Sequence, residues 1–509
     1  MSTISFSRRL SELASEDPAR VAITCGDDSV TRAELESAAN RLARDLGAGG
    51  VGAGDMVTIA LPNSTGWYVA VAACWKLGAI PQPVSSRLPE RELAAILDLA
   101  NPAAVIGVPA ELAGGRRALP PGYEPDRALR DDPLPDAISP AWKAPTSGGS
   151  TGRPKLIVSG DPSIYDEENR RLFGPPGASM VMPGPLYHNG PIVWSCSAWL
   201  AGGHVIVLPR FDAEGTLAAI ERHRGELVYL VPTMMKRIWR LPDAVRESYD
   251  LSSLVAVWHL AEPCPEWLKQ VWIDWLGPDR IIELYAGTEA QTATVITGRE
   301  WLQHRGSVGK PPAGTVMICD ADGNELPPGE EGEVWMRSLR DRPTYHYIGA
   351  TARSREGGWE SLGDMGRLDE EGYLYLGDRM QDMILTGGAN VYPAEVEAAI
   401  QEHPGVRSVA VIGLPDEDLG STVHAIVEAD ESSVPREELL AFTAERVAPY
   451  KIPRSIEYTN RPLRDDAGKV RRAALRAERL AANDETRGSP PPAWEAAAPI
   501  PQLGGAAGS

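Results

Sequence analysis

Ala144-Pro145-Thr146-Ser147-Gly148-Gly149-Ser150-Thr151-Gly152-Arg153-Pro154-Lys155, followed at once by the apolar Leu156-Ile157-Val158, is the stretch on which the reading of this sequence turns. Small residues let backbone N–H groups turn inward around an anion. The hydroxyls of Thr146, Ser147, Ser150 and Thr151 add donors, and Lys155 supplies a charge. A phosphate cradle is the natural reading, and two rivals are set aside. A flexible Gly/Ser linker would not explain a lysine kept in a chain with 8 Lys against 42 Arg. A P-loop needs Gly-Lys-Ser/Thr opening a helix. Here Arg153 and Pro154 follow Gly152, and a proline disfavours helix at the residue before it.

Working outward, the first hundred residues alternate between helix and strand patterns. Thr31 and Glu34 form a capping-box pattern, with Leu35, Ala38, Leu42 and Leu46 on one helical face. Val57 to Leu61, Ala79 to Val84 and Ala103 to Val108 read as strands, with helices over about 66–77 and 90–99 between them. Such alternation predicts a mainly parallel sheet covered on both faces. From about 305 to 376, Gly-rich turns separate short alternating runs, the pattern of antiparallel β-structure. After about 380, Ala394 to Gln401, Val406 to Gly413, His424 to Glu428 and Arg436 to Val447 predict a separate α+β unit. Ala481 to Ser509, rich in Ala, Pro and Gly, reads as a disordered tail.

Composition excludes several classes. The 509 residues carry 50 Lys plus Arg against 70 Asp plus Glu, a formal net charge of −20 with no basic run. Nucleic acid and anionic lipid both need a concentrated basic face. No apolar stretch approaches the ~18–20 residues of a membrane span, and Met1 to Leu10 lacks the apolar core of a secretory signal. Five scattered cysteines without a CxxC pair fit a reduced, cytoplasmic setting. The expectation is a large acidic enzyme.

The glycine-rich run resembles the phosphate-loop signature of the adenylate-forming (AMP-binding) enzymes: acyl- and aryl-CoA synthetases, firefly-type luciferases and the adenylation domains of peptide synthetases. Further stations follow in the family's order, from the loop at 144 to Arg472. Ala261-Glu262-Pro263 matches the loop bordering adenine. Tyr285-Ala286-Gly287-Thr288-Glu289 resembles the element whose Tyr stacks on adenine, whose Thr contacts the α-phosphate and whose Glu holds Mg²⁺, with Ala286 where Gly is usual. Trp359 and Gly363-Asp364 match the element whose Asp grips the ribose hydroxyls, with Leu362 where Ser or Thr is common. Gly377-Asp378-Arg379 and Gly387-Gly388-Ala389 resemble the hinge motif and the glycine loop opening the small domain; alignment from Arg379 puts Gln381 at the hinge, where Asp is usual. The Gly468-Lys469 pair resembles the one that carries a small-domain lysine into the active site for adenylation.

The resemblance implies an acyl-CoA synthetase-like α/β fold: a large N-terminal domain (1–380) with mainly parallel sheets and a small β-subdomain, a mobile α+β C-terminal domain (381–480), and the tail (481–509). It implies ATP, Mg²⁺ and coenzyme A as cofactors and a small carboxylic acid as substrate. Adenylation would release pyrophosphate, and domain alternation would precede transfer of the acyl group to the CoA thiol as a thioester. The alternative is an acyl-AMP ligase loading an acyl or peptidyl carrier protein in trans; a catalytically idle binding protein is the reading from another class. A homodimer is left open.

For the substrate, Tyr187-His188-Asn189-Gly190 matches the element beside the carboxylate and acyl pocket, although His188 can equally be structural. Eight of the 14 Trp lie between 194 and 301, and Trp194 and Trp258 are candidates to shape a broad apolar pocket. The wording of the loop and of Tyr187 to Pro191 looks most like the branch handling bile-acid, steroid-like and other bulky or long apolar acids.

Overall fold

A computed structural model describes residues 3–148, 154–166, 174–379, 382–386, 389–416, 419–465 and 468–487. The helix expected after Thr31 spans Arg32–Ala48. Thr31 caps the Glu34 backbone N–H and Glu34 returns to the Thr31 N–H, the reciprocal pairing that makes such a start stable. Its inner face packs on the helix Thr65–Lys76, where Lys76 and Glu36 meet at 2.6 Å inside the core.

Two sheets form the body of the large domain. The strands Met56–Ile59, Ile80–Pro83 and Ala104–Ile106 pair in parallel, as the alternation predicted, and an unexpected fourth, Arg117–Leu119, pairs in parallel at the edge. The eight-stranded sheet runs Ala293–Thr297, Ile281–Ala286, Ala256–His259, Leu227–Leu230, Met180–Met182, Val205–Val207, Val21–Cys25, Asp28–Thr31. Its inner strands are parallel and its two edge strands antiparallel. The helices over its faces bury a continuous apolar core that includes Ile23, Val181, Val228 and Val257. Beyond it the 305–376 region forms the expected antiparallel sheet, built on Ser307–Gly309, Leu374–Arg379, Trp359–Leu368, Gly332–Met336 and Val316–Cys319.

The described parts of the expected phosphate-loop segment are two paired strands. Thr146–Gly148 pairs antiparallel with Pro154–Ser159, and Tyr345–Ile348 adds to the outer side of the second strand. Pro154 therefore opens a strand, not a helix. The expected cradle residues Gly149, Ser150, Thr151 and Gly152 lie outside the described residues.

The small domain has its own core, with Ser408–Asp416 and Gly420–Glu428 antiparallel, Ser455–Thr459 parallel to the latter, and the helices Pro393–Gln401, Arg436–Ala444 and Arg472–Arg487. The last helix runs to Arg487, past the expected start of the tail at 481; the remainder of that segment lies outside the described residues. Among the described residues no helix is long and apolar enough to cross a membrane.

Candidate active site

The two domains meet over a cleft of about 3590 Å³ that gathers most of the motif residues. Its first wall is the strand pair Thr146–Gly148 and Pro154–Ser159. Thr146 is anchored from behind: Gln82 Nε2 donates to Thr146 Oγ1 at 2.8 Å, and Gln82 in turn accepts from Thr58. Ser147 stands opposite Lys155 in the register of that pair, and both line the cleft.

Lys155 reaches Glu289. The ammonium lies 3.4 Å from Glu289 Oε1 and 3.9 Å from the centre of the Tyr347 ring, while the Tyr347 hydroxyl donates to the same carboxylate oxygen at 2.5 Å. Burial and the Glu289 charge hold the Tyr347 hydroxyl far above its ordinary pKa. Glu289 Oε2 faces Gly287, where a Cβ would stand 3.0 Å from that oxygen and 2.4 Å from Leu362 Cδ1. Only glycine fits there without displacing its neighbours. Thr288 and Ala286 line the cleft beside it.

On another wall of the cleft the Tyr285 hydroxyl donates to Asp364 Oδ2 at 2.7 Å. Arg379 stands opposite Asp364 in the adjacent strand. Ala261 holds a φ of +73°, a left-handed conformation that costs a non-glycine residue about 1–2 kcal/mol. That bend leaves Ala261, Glu262 and Pro263 lining the cleft. Glu262 Oε2 accepts from the backbone N–H of Thr233 at 3.0 Å and from its hydroxyl at 2.8 Å. Oε1 is buried without a hydrogen-bond partner among the described residues. Burial raises the Glu262 carboxyl to about 7, against the opposing pull of Arg464 and the Thr233 donors.

The small domain carries Lys469, held by its backbone and that of Gly468 to Asp465. Lys469 N–H donates to Asp465 Oδ1 at 2.9 Å and Gly468 N–H to the Asp465 carbonyl at 2.9 Å, with Gly468 at φ +78°. Arg464 binds the Gly468 carbonyl at 2.9 Å and Glu397 at 3.3 Å. The charges of Lys469 and Arg471 reach His188. Burial first, then those two cations, bring its imidazole down to about 3, so it stands neutral in this arrangement. His188 is the residue immediately before the helix Asn189–Leu200, its ring 4.3 Å from that of Tyr187.

Trp194, on that helix, lines the cleft. Trp258 does not: it belongs to an inner strand of the large sheet, is 4% exposed, and packs edge-on behind Trp194 at 5.8 Å. The expectation that both shape the pocket surface is therefore corrected for Trp258, which can only support its neighbour. Gly387 and Gly388, expected as the glycine loop, and Gln381, expected at the hinge, lie outside the described residues. Ile384–Thr386 and Ala389–Val391, which flank that glycine pair, form a hairpin.

Sequence reading passed over Tyr347 and Lys143. Tyr347 joins the site only because its strand pairs with Pro154–Ser159, almost two hundred residues earlier, and no local pattern announces such a pairing.

Comparison with known proteins agrees with this geometry. Residues 10–340 match the model of the AMP-binding enzyme family and residues 395–469 that of the AMP-binding enzyme C-terminal domain. A feruloyl-CoA synthase from Amycolatopsis sp is 34% identical over 90% of this chain and 96% of its own. The long-chain-fatty-acid–CoA ligase FadD13 of Mycobacterium tuberculosis is 30% identical over 89% of this chain and 93% of its own. Among solved structures, the o-succinylbenzoate CoA synthetase of Bacillus subtilis with its acyl-adenylate intermediate superposes with a TM-score of 0.79 at 25% identity, covering 93% of this chain and 98% of that one.

Proposed function

This chain belongs to the AMP-binding enzyme family, and from that premise we propose that it is an ATP-dependent acyl-CoA ligase acting on a bulky or long apolar carboxylic acid. A free carboxylate is a poor acyl donor because its oxygen is a bad leaving group. Attack of the substrate carboxylate on the α-phosphorus of ATP forms the acyl–AMP bond and expels pyrophosphate. The CoA thiol then loses its proton and attacks the acyl carbon, and AMP leaves with the carboxylate oxygen. The protein contributes positioning and charge neutralisation.

One observation carries the reading: Gly468 and Lys469 of the small domain sit in the same cleft as the Lys155–Glu289 pair of the large one. In this reading Lys469 neutralises charge between the carboxylate and the α-phosphate, and the 146–155 segment with Lys155 holds the outer phosphates. Thr288 faces the α-phosphate. Tyr285, Asp364 and the Ala261–Pro263 loop receive the nucleoside, with Arg379 close to the ribose. Mg²⁺ fits Glu289, whose carboxylate is oriented by Tyr347 and Lys155 on one oxygen and faces the glycine-opened space with the other. A hard cation shared with phosphates needs few protein ligands. When bound it would neutralise phosphate charge.

Trp194, Val193 and Leu200 on one helix, with Tyr187 and His188 at its start, support an apolar acid. The relatives that act on ferulate and on long-chain fatty acids support the same class. Rotation of the small domain about Gln381 between half-reactions, with the Gly387–Gly388 loop approaching the CoA thiol, is part of the proposal. A cytoplasmic site suits the five free cysteines. The test is pyrophosphate release from ATP across a panel of carboxylic acids, then addition of CoA and detection of thioesters by mass. Absence of pyrophosphate with every acid overturns the ligase reading, and adenylate without CoA thioester overturns CoA as acceptor.

A further inference from the structure

Lys143 is a cation for which the proposed reaction has no use. Its backbone is fixed, the carbonyl accepting from Ser159 N–H at 3.0 Å and the next residue, Ala144, bonding to Pro81 at 3.0 Å. Its side chain is 6% exposed yet lines the cleft, with the ammonium 4.9 Å from the centre of the Trp142 ring.

Burying an ammonium is costly unless a carboxylate or a hydrogen-bonding partner compensates. The other buried lysines have partners: Lys76 meets Glu36 at 2.6 Å, Lys269 meets Glu283 at 2.6 Å, and Lys236 donates to Gln401 Oε1 at 3.5 Å. Lys143 has no such partner among the described residues. Asp161 and Glu289 act on it only through space. Asp161 is engaged by Arg340 and Arg342 at 2.9 and 2.6 Å, and Glu289 by Lys155 and Tyr347. Burial lowers the ammonium to about 8, so it remains mostly charged at neutral pH.

Its surroundings on the cleft side are those of the acid pocket. The Trp142 ring beside Lys143 packs on Phe6 at 6.1 Å, Phe6 on Trp75 at 4.8 Å and Trp75 on Trp199 of the helix Asn189–Leu200 at 5.9 Å, and Val193, Trp194, Ser197 and Leu200 of that helix line the same cleft. A buried, charged donor beside the apolar side chains of that helix discriminates by what it leaves unpaired. An acid without an acceptor there strands the ammonium, whereas one with an acceptor gains a charge-assisted hydrogen bond.

We propose that Lys143 is a specificity-determining residue that selects, among apolar carboxylic acids, those bearing an oxygen acceptor (a hydroxyl, keto or second carboxylate group) on the scaffold away from the reacting carboxylate. The proposal rests on the acyl-CoA ligase reading of the cleft. It is tested by pyrophosphate release at saturating MgATP with paired acids: p-hydroxycinnamate against p-methylcinnamate, ω-hydroxydodecanoate against dodecanoate, and a steroid-nucleus acid with and without its ring hydroxyl. On at least one scaffold the wild type should favour the oxygenated member by at least roughly tenfold in kcat/KM, the scale of one hydrogen bond to a charged group. Lys143→Met should bring that ratio to about 1, and Lys143→Arg, which keeps the charge on a wider fork, should retain part of it.

A wild-type ratio near 1 on every scaffold turned over would overturn the proposal, and that measurement needs no variant to fold. Equal loss on both members in Lys143→Met, with a raised KM for ATP, would also overturn it in favour of a phosphate-side role. Failure of every acid to elicit pyrophosphate release would remove the ligase reading and this proposal together, whereas turnover without discrimination removes only this one.

Discussion

Gly468 and Glu262, from opposite domains, approach so closely that a Cβ on Gly468 would fall 1.0 Å from Glu262 Oε1. Glu262 cannot retreat, because Thr233 holds its other oxygen with two hydrogen bonds. Gly468 also sits at φ +78°, where any other residue is strained. Gly468→Ala therefore carries both a steric and a conformational penalty, and both bear on the arrangement that seats Lys469. Pyrophosphate release should fall at least roughly a hundredfold, about 2.7 kcal/mol or more of barrier. Thioester formation from supplied acyl adenylate should fall far less. Equal loss in the two half-reactions, measured by quenched flow, would show that the contact matters for folding of the small domain instead.

Lys469→Ala isolates the charge from the backbone. The backbone bonds through Asp465 and Arg464 do not involve the ammonium, so they should survive. Adenylation should drop by the ~10²–10³ typical of removing one transition-state stabiliser, with KM for ATP changed much less than kcat. A variant that loses thioester formation to the same degree would refute the assignment of this lysine to the first step.

How much of this was readable in advance follows chain proximity. The capping box at Thr31 and the strands near 57–61, 79–84 and 103–108 rest on local pattern, which found them; Arg117–Leu119 and the strand opening at Pro154 were not expected. The motif stations were legible for the same reason. Trp194 and Trp258 look alike in sequence, and only the topology sends one to a cleft-facing helix and the other to an inner strand. Tyr347 and Glu289 meet through a long-range strand pairing with no local signature. Scarcity of lysine drew attention to Lys155, and the Gly468-Lys469 pair to Lys469. The same scarcity covered Lys76 and Lys269, which the structure spends on buried ion pairs, and Lys236, buried where the domains meet with its Nζ 3.5 Å from Gln401 Oε1. Residue type alone could not sort these fates.

Glu289 and Tyr347 give a graded test of the Mg²⁺ assignment. Glu289→Gln keeps the shape but removes the charge, so the Mg²⁺ concentration for half-maximal pyrophosphate release should rise at least roughly tenfold, the scale of one lost charge-assisted contact. Tyr347→Phe removes one donor to Oε1 and leaves Lys155 in place, so its shift should be in the same direction and smaller. Titration of MgCl₂ at fixed ATP reads both. An unchanged Mg²⁺ requirement in Glu289→Gln would take the metal away from this carboxylate.

The pH dependence should differ between the two half-reactions. His188 falls from an ordinary 6.5 to about 3 in the closed arrangement, through burial and then through Lys469 and Arg471. Because the folded protein binds fewer protons at this site, its contribution is fully present above about 6.5 and is lost as pH falls from there towards 3. Only the part of that shift due to Lys469 and Arg471 is tied to the position of the small domain, so acid disfavours this arrangement by less than about tenfold per pH unit. Glu262 acts in the opposite sense, since its raised carboxyl favours the folded arrangement at low pH and that contribution is lost as pH rises through about 7. Adenylation should accordingly show an acid limb beginning near 6.5, and His188→Gln should flatten that limb even where it lowers the maximal rate. Withdrawal of Lys469 and Arg471 removes two of the causes, so thioester formation from supplied adenylate should keep its rate to lower pH. Rate profiles of both half-reactions from pH ~5 to ~8 would measure this, and superimposable acid limbs in wild type and His188→Gln would exclude the imidazole as their source.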